Sequence, residues 1–275
     1  MLERIGRRSG RARLVLAACI VVPAVAAAGA ARADVSPLLA ARAVASTSVG
    51  QKLYFARDGK LSVAHRAVPP SPTAAADSLR RLLAGPNADE RRAGLTTSIP
   101  RGSTVLSVIQ RGNVANVDLS PGFTSRAELT LSPQLGQIVF TLTQFPTIKL
   151  VRIFIDGRPL QVAGPTGTRL SLVGRHVFGA YLPAVFLESP GSGERVRSPL
   201  LVEGSATGRT FAALVGADGT LLAQTLLVGE AQARTFFRIR LRFRVSVQQT
   251  GRLIVWKFHE GKVLSRVTVP VTYVP

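Results

Sequence analysis

Cysteine occurs once in this 275-residue chain, at Cys19, and histidine three times, at His65, His176 and His259. One thiol near the N-terminus leaves the body of the chain without disulfides, thiol nucleophiles or cysteine-ligated metal. The histidines fall on three separate segments, none with a second ligand at metal spacing, so they read as solvated or strand-capping side chains. Acidic residues are scarce too: 15 Asp and Glu stand against 35 Lys and Arg, a formal charge of +20. No serine sits in a Gly-x-Ser-x-Gly elbow. Gly164-Pro165-Thr166-Gly167-Thr168-Arg169 is glycine-rich, but it lacks the Lys-Ser/Thr ending and the glycine spacing that wrap phosphate, and reads as a domain-end loop. These absences describe a non-enzyme with no cofactor and no metal.

The N-terminus is rich in what the rest lacks. Arg4, Arg7, Arg8, Arg11 and Arg13 precede an apolar run from Leu14 to Ala28, and Ala31-Arg32-Ala33 puts small residues where a signal peptidase reads. Residues 1–33 thus read as an export signal cut before Asp34. The same stretch admits two other readings. Leu14 to Ala31 is at the lower limit of length for a membrane anchor. Leu16-Ala17-Ala18-Cys19 matches a lipobox whose cysteine would be acylated, although only five apolar residues precede it where a signal core has about 7 to 15. Cleavage after Ala33 removes Cys19, six arginines and Glu3, and leaves a charge of +15.

Residues 34–50 are small and Ala/Ser/Val-rich, a spacer. Leu53 to Arg57 and Leu61 to Arg66 flank Asp58-Gly59, a strong hairpin signal because both central residues of the favoured turn need positive φ. Ala74 to Leu83 reads as a helix with Leu79, Leu82 and Leu83 on one side, stopped by Gly85-Pro86. Thr104–Gln110 and Val114–Leu119 form a second hairpin. Leu131, Leu135, Ile138, Val139, Leu142 and Phe145 share one helical face, with Gln134, Gln137, Thr141 and Gln144 on the other side and Pro146 as the stop. Ile148 to Ile155 is a strand turned by Asp156-Gly157. This is an α+β pattern over residues 51–165. After a linker, 166–182, helical periodicity disappears: 183–275 consists of short β runs separated by Gly, Pro and Asp-Gly, the spacing of an antiparallel sandwich.

Three phrases recur in one order here: Leu82-Leu83-Ala84-Gly85-Pro86; Gly94-Leu95 with Ile99-Pro100-Arg101-Gly102; and Gln137-Ile138-Val139 through Thr141-Leu142-Thr143-Gln144-Phe145-Pro146. With Asp118 and Asp156-Gly157 at strand ends, this segment resembles the GerMN domain of bacterial sporulation and spore-germination proteins. Val185 to Pro190, Gly193, Val196, Ser198-Pro199, Val202, Gly204 and the Val267–Val271 run resemble the immunoglobulin-like domain that often follows GerMN. The two resemblances imply an α+β GerMN-like domain followed by an all-β immunoglobulin-like sandwich, in an extracytoplasmic envelope protein. They imply binding or scaffolding rather than catalysis. Asp118 and Asp156, the carboxylates inside the motifs, are placed where Asp bonds turn amides.

One feature lies outside the resemblance. Phe237-Arg238-Ile239-Arg240-Leu241-Arg242-Phe243-Arg244-Val245 alternates without a break, so a strand here sends its apolar set to the core and stands four guanidinium groups about 6.6 Å apart on the other face. Such a row suits phosphate or carboxylate groups. It also suits a solvated face whose charges discourage edge-to-edge pairing. Thirty of the 35 basic residues are arginine, a bias that a GC-rich genome produces as well. Export removes intracellular nucleic acid from the set of partners and leaves an envelope protein, or an anionic wall or membrane polymer. A second basic group, Arg80-Arg81 with Arg91-Arg92, has Asp89 and Glu90 beside it and reads as solvated helix ends.

Overall fold

A computed structural model describes residues 48–126, 128–164, 166–229 and 233–275. The export signal, its cleavage site, Cys19 and nearly all of the 34–50 spacer lie outside the described residues. The described chain opens on a hairpin, β1 (Val49–Arg57) and β2 (Lys60–Val68). Its turn residues Asp58 and Gly59 have φ of 50° and 71°, matching the two positive values such a turn requires. Helix α1 (Ala74–Leu83) follows, with Leu79 and Leu82 buried, and Gly85 ends it at φ +83°. The five residues of α2 (Ala88–Arg92) are too few to show a hydrophobic period. A capping box holds them: Asn87 accepts from the Glu90 amide, and the Glu90 carboxylate accepts from the Asn87 amide.

Strands β3 (Val105–Arg111), β4 (Val114–Leu119) and β5 (Glu128–Thr130) lead to helix α3 (Pro133–Leu142), and β6 (Leu150–Ile155), β7 (Arg158–Pro159), β8 (Gln161–Ala163) and β9 (Arg169–Leu170) come after it. One sheet has the order β3-β4-β6-β7 with β4 and β6 parallel, and a second the order β5-β8-β9. Helices α1 and α3 close on one apolar core with the first hairpin and β4 and β6. The expected face from Leu131 to Phe145 is longer than α3 itself, because Leu131 and Phe145 lie beyond its ends while packing on the same core. Its polar side is not wet. Gln137 and Thr141 are fully buried, since β1 and the 97–98 loop lie against them.

Residues 166–182 are not a free linker. They carry β9 and a 3-10 segment, Arg175–Tyr181, and bury Val173, Phe178 and Leu182 in the first core. The apolar residues responsible follow neither a helical nor a strand period, which is why composition read them as a connection.

The remaining chain is all strand: β10 (Val185–Ser189), β11 (Glu194–Val196), β12 (Leu200–Thr207), β13 (Thr210–Gly216), β14 (Leu221–Val228), β15 (Arg234–Leu241), β16 (Gln249–His259) and β17 (Lys262–Tyr273). They form a three-stranded sheet, β10-β12-β15, and a five-stranded sheet, β11-β17-β16-β13-β14. Val202, Phe237, Leu214, Leu253 and Tyr273 come from both sheets into one core. Strand β10 serves two cores at once: Val185 and Leu187 point into the sheet pair, while Phe186 belongs to the core of the α+β part.

Candidate functional site

The alternation of β10 determines how the two parts meet. Residues that point away from the sheet-pair core, Phe186 and Glu188, enter the α+β part, so the outer face of the three-stranded sheet is in part a docking face. Glu188 is only 5% exposed. Arg175, from the 3-10 segment, donates from Nη1 to both Glu188 oxygens at 2.8 and 3.0 Å. Its Nη2 donates to Tyr54 Oη and the Phe140 carbonyl, each at 3.2 Å, and its Nε to Thr143 Oγ1 at 2.7 Å. All three guanidinium nitrogens thus donate to acceptors, and the group also lies 4.6 Å from the Phe140 ring centroid. Tyr54 completes the set by donating to Glu188. Burial, and then the adjacent Glu188 charge, raise the Tyr54 hydroxyl well above its ordinary pKa, so it stays a proton donor.

Around this junction side chains of α3 and of the turn after it bond the backbone of β1 and of the 97–98 loop. Gln144 accepts from the Lys52 amide at 2.9 Å and donates to the Lys52 carbonyl at 2.7 Å, Thr141 accepts from the Tyr54 amide at 3.2 Å, and Gln137 accepts from the Ser98 amide at 2.8 Å. An amide side chain facing a strand edge can do both halves of a ladder step, which is the chemical reason for Gln at those places. At the rim Glu203 of β12 takes Lys52 at 2.7 Å and Arg238 at 3.0 Å. An open cleft of ≈ 520 Å³ lies over the junction, with Lys52, Lys149, His176 and Arg238 among its lining residues.

The four arginines expected as one row are divided by this arrangement. All are exposed, while Phe237, Leu241 and Phe243 between them are buried. Strand β15 ends at Leu241, so Arg238 and Arg240 stand on it and Arg242 and Arg244 continue the alternation on irregular backbone. Ladder pairing stops there because β12, the partner of β15, begins at Leu200, which pairs with Leu241. β15 is an edge strand of its sheet. Arg238 is engaged by Glu203; among the described residues Arg240, Arg242 and Arg244 have no acidic partner. Arg240 stands one ladder step pair beyond the docked region, opposite Leu201.

The motif positions do structural work. Gly85 and Gly102 have φ of +83° and +85°. The Gly85 carbonyl accepts from Arg66 at 3.1 Å, Pro86 from Arg91, and Pro100 from Ser103 Oγ at 2.7 Å. Both Asp118 oxygens accept from the Gly157 amide at 3.1 Å, and Asp156 supplies the positive φ of that turn. Pro146 lines the cleft. Asp118 and Asp156 therefore serve one turn. Among the described residues no group of His, Cys, Asp and Glu is placed to hold a metal. Sequence reasoning missed Arg175, Glu188 and Lys52. Glu188 was the findable one, a lone acid inside the apolar strand Val185–Ser189.

The described chain is thus an α+β unit, with β1 bonded by Thr141 of α3 and by Gln144 just beyond it, joined to a β-sheet pair. Residues 52–161 match the family model Germane, described as sporulation and spore germination, and this part of the chain resembles a GerMN domain. Solved structures with likeness to the chain include the tandem GerMN domains of the sporulation protein GerM from Bacillus subtilis, at 17% identity and a TM-score of 0.40. That match covers 48% of this chain and 47% of that one, so this chain spans about half the length of the tandem structure. The first GerMN domain of the same protein matches at 24% identity and a TM-score of 0.37, over 46% of this chain and 98% of that one. A putative lipoprotein from Clostridium perfringens matches at 19% identity and a TM-score of 0.29, over 45% and 87%. No curated protein matches.

Proposed function

We propose that this is an exported, non-catalytic binding protein of the cell envelope, in which a GerMN-type domain and an immunoglobulin-like sandwich act as one scaffold. The observation that carries the binding role is the division of the arginines. Arg175 joins the two parts and Arg238 is taken by Glu203, whereas Arg240, Arg242 and Arg244 stand exposed with no acidic partner among the described residues. Unpaired guanidinium groups at strand spacing, on a chain of formal charge +20, favour an anionic polymer such as teichoic acid, a phosphate-bearing glycan or anionic lipid as the molecule bound there. An envelope protein as partner, with a part in sporulation or germination, is the reading the family supports. The immunoglobulin-like assignment of the second part is supported by its three and five strands around one core. The test is made in living cells: a photo-crosslinker at position 240 and fractionation of the product. Capture of wall polymer or an envelope protein in an extracytoplasmic fraction is expected. A cytosolic protein, or capture only of cytosolic nucleic acid, would contradict it.

A further inference from the structure

The outer face of the three-stranded sheet is partly covered by the α+β part. The outer face of the five-stranded sheet is built differently. Strand alternation would make it polar if water covered it. Its central row is instead Leu226, Phe211, Trp256 and Arg266, brought into line by the registers of β14, β13, β16 and β17. The Phe211 and Trp256 rings stack at 5.7 Å between centroids and 20° between planes, and Phe258 meets Phe211 edge-on at 6.5 Å. In the next row Ile254 lies between Ala213 and Thr268. Phe211, Ile254, Trp256 and Phe258 belong to neither apolar core. Leu226 is 46% exposed, and Leu264, near the turn between β16 and β17, is 56% exposed. An apolar face with stacked aromatics at its centre is an interaction surface.

Charge selects what covers it. Strands β13, β14, β16 and β17 contain no Asp or Glu, while Arg252, Lys257, Lys262 and Arg266 lie on them. The Arg209 guanidinium lies over the Phe211 ring, 5.3 Å from its centroid. Indole and phenyl rings bordered by cations, with no acid on the same strands, match the boundary of an anionic bilayer, where rings settle at headgroup level and cations meet lipid phosphates. We propose that the outer face of the five-stranded sheet docks on an anionic phospholipid bilayer, with Trp256 and Phe211 at the centre of the contact. This surface is on a different sheet from Arg240 and its neighbours and does not depend on what they bind.

Trp256 is the only tryptophan of the chain, so its fluorescence reports this face alone, whatever the apolar N-terminal run does. The full chain is titrated with vesicles of mixed phosphatidylglycerol and phosphatidylcholine, and with phosphatidylcholine alone. With the anionic vesicles, Trp256 emission is expected to shift to shorter wavelength and to be quenched by acyl chains brominated near the headgroup. Added salt weakens both effects. Phe211→Ser combined with Phe258→Ser keeps the reporter and should reduce this partitioning roughly tenfold, in line with the apolar area withdrawn from the contact. Leu226→Gln with Leu264→Gln, at exposed positions, gives the same direction should the first pair unfold the sheet. Unchanged Trp256 emission at saturating anionic lipid overturns the proposal, as does an equal response to phosphatidylcholine alone. A shift that follows protein concentration without vesicles also overturns it and assigns the face to a second copy of the chain.

Discussion

Arg175 and Arg240 carry the same guanidinium into opposite surroundings. Around Arg175 all three guanidinium nitrogens donate to acceptors and two aromatic rings lie within reach, and the group joins β1, α3, the 3-10 segment and β10 in one place. Arg240 has Leu201 opposite it and no acidic partner among the described residues. The difference follows from which face each strand turns toward the α+β part. Glu188 and Glu203 lie on the docked side of the three-stranded sheet and attract Arg175, Lys52 and Arg238. The two carboxylates of that face are taken up at the junction, and among the described residues Arg240, Arg242 and Arg244 are left to solvent or to something that arrives from outside.

Substitutions at the junction and at the edge should separate these two uses. The largest effect is expected from Arg175→Ala, which leaves Glu188 buried and unpaired and should cost about 3–5 kcal/mol in denaturant unfolding. The double variant Arg175→Met with Glu188→Leu should be less damaging than either single change, because it removes both charges from the interior. Equal, additive losses would mean that the pair is not coupled and that the junction is held by packing alone.

Tyr54→Phe should cost about 1–2 kcal/mol at neutral pH by removing a donor from Glu188. It should also change the alkaline limb. A folded-state pKa above the unfolded value of 10.0 means stability is intact below that pH and is lost as pH rises through the unfolded value toward the folded one. Tyr273 is raised in the same direction by burial. The variant should therefore lose part of the decline above pH 10 in a series of unfolding curves, and Tyr54→Phe with Tyr273→Phe more of it. An unaltered limb would place Tyr54 outside the alkaline transition.

At the edge the expected losses are small. Arg238→Gln releases one exposed partner of Glu203 and should cost about 0.2–1 kcal/mol. Arg240→Gln, Arg242→Gln and Arg244→Gln should each stay within about 0.5 kcal/mol. A larger loss at any of the three, seen as a shifted thermal or denaturant midpoint, would show that it has a structural partner and does not belong with the free set.

The first hairpin, α1 and the all-β second part were legible because local rules decide them: Asp58-Gly59 requires its turn, Gly85-Pro86 stops its helix, and helical period vanishes after the 3-10 segment. The polar side of α3 was read correctly as a side, but its burial was invisible, since a Gln that satisfies a strand edge looks like a Gln that faces water. Likewise the 166–182 stretch read as a linker because Arg175 and Phe178 acquire their roles only from residues far away, Glu188 and Tyr54 in one case and Phe140 in the other. The arginine alternation was read from spacing alone, and its faces are as expected. Where the strand would end depended on β12, which spacing cannot see.

The most direct measurement compares the wild type with the Arg238→Gln, Arg240→Gln, Arg242→Gln, Arg244→Gln variant for binding to purified anionic wall polymer across a salt series. Because these positions lie outside both cores, the variant should fold as the wild type does, with binding weaker and its salt dependence flatter, since each lost phosphate contact removes part of the counterion release. Equal affinity and equal salt slopes for the two proteins would contradict an anion-binding role and leave the exposed arginines as a solvated edge.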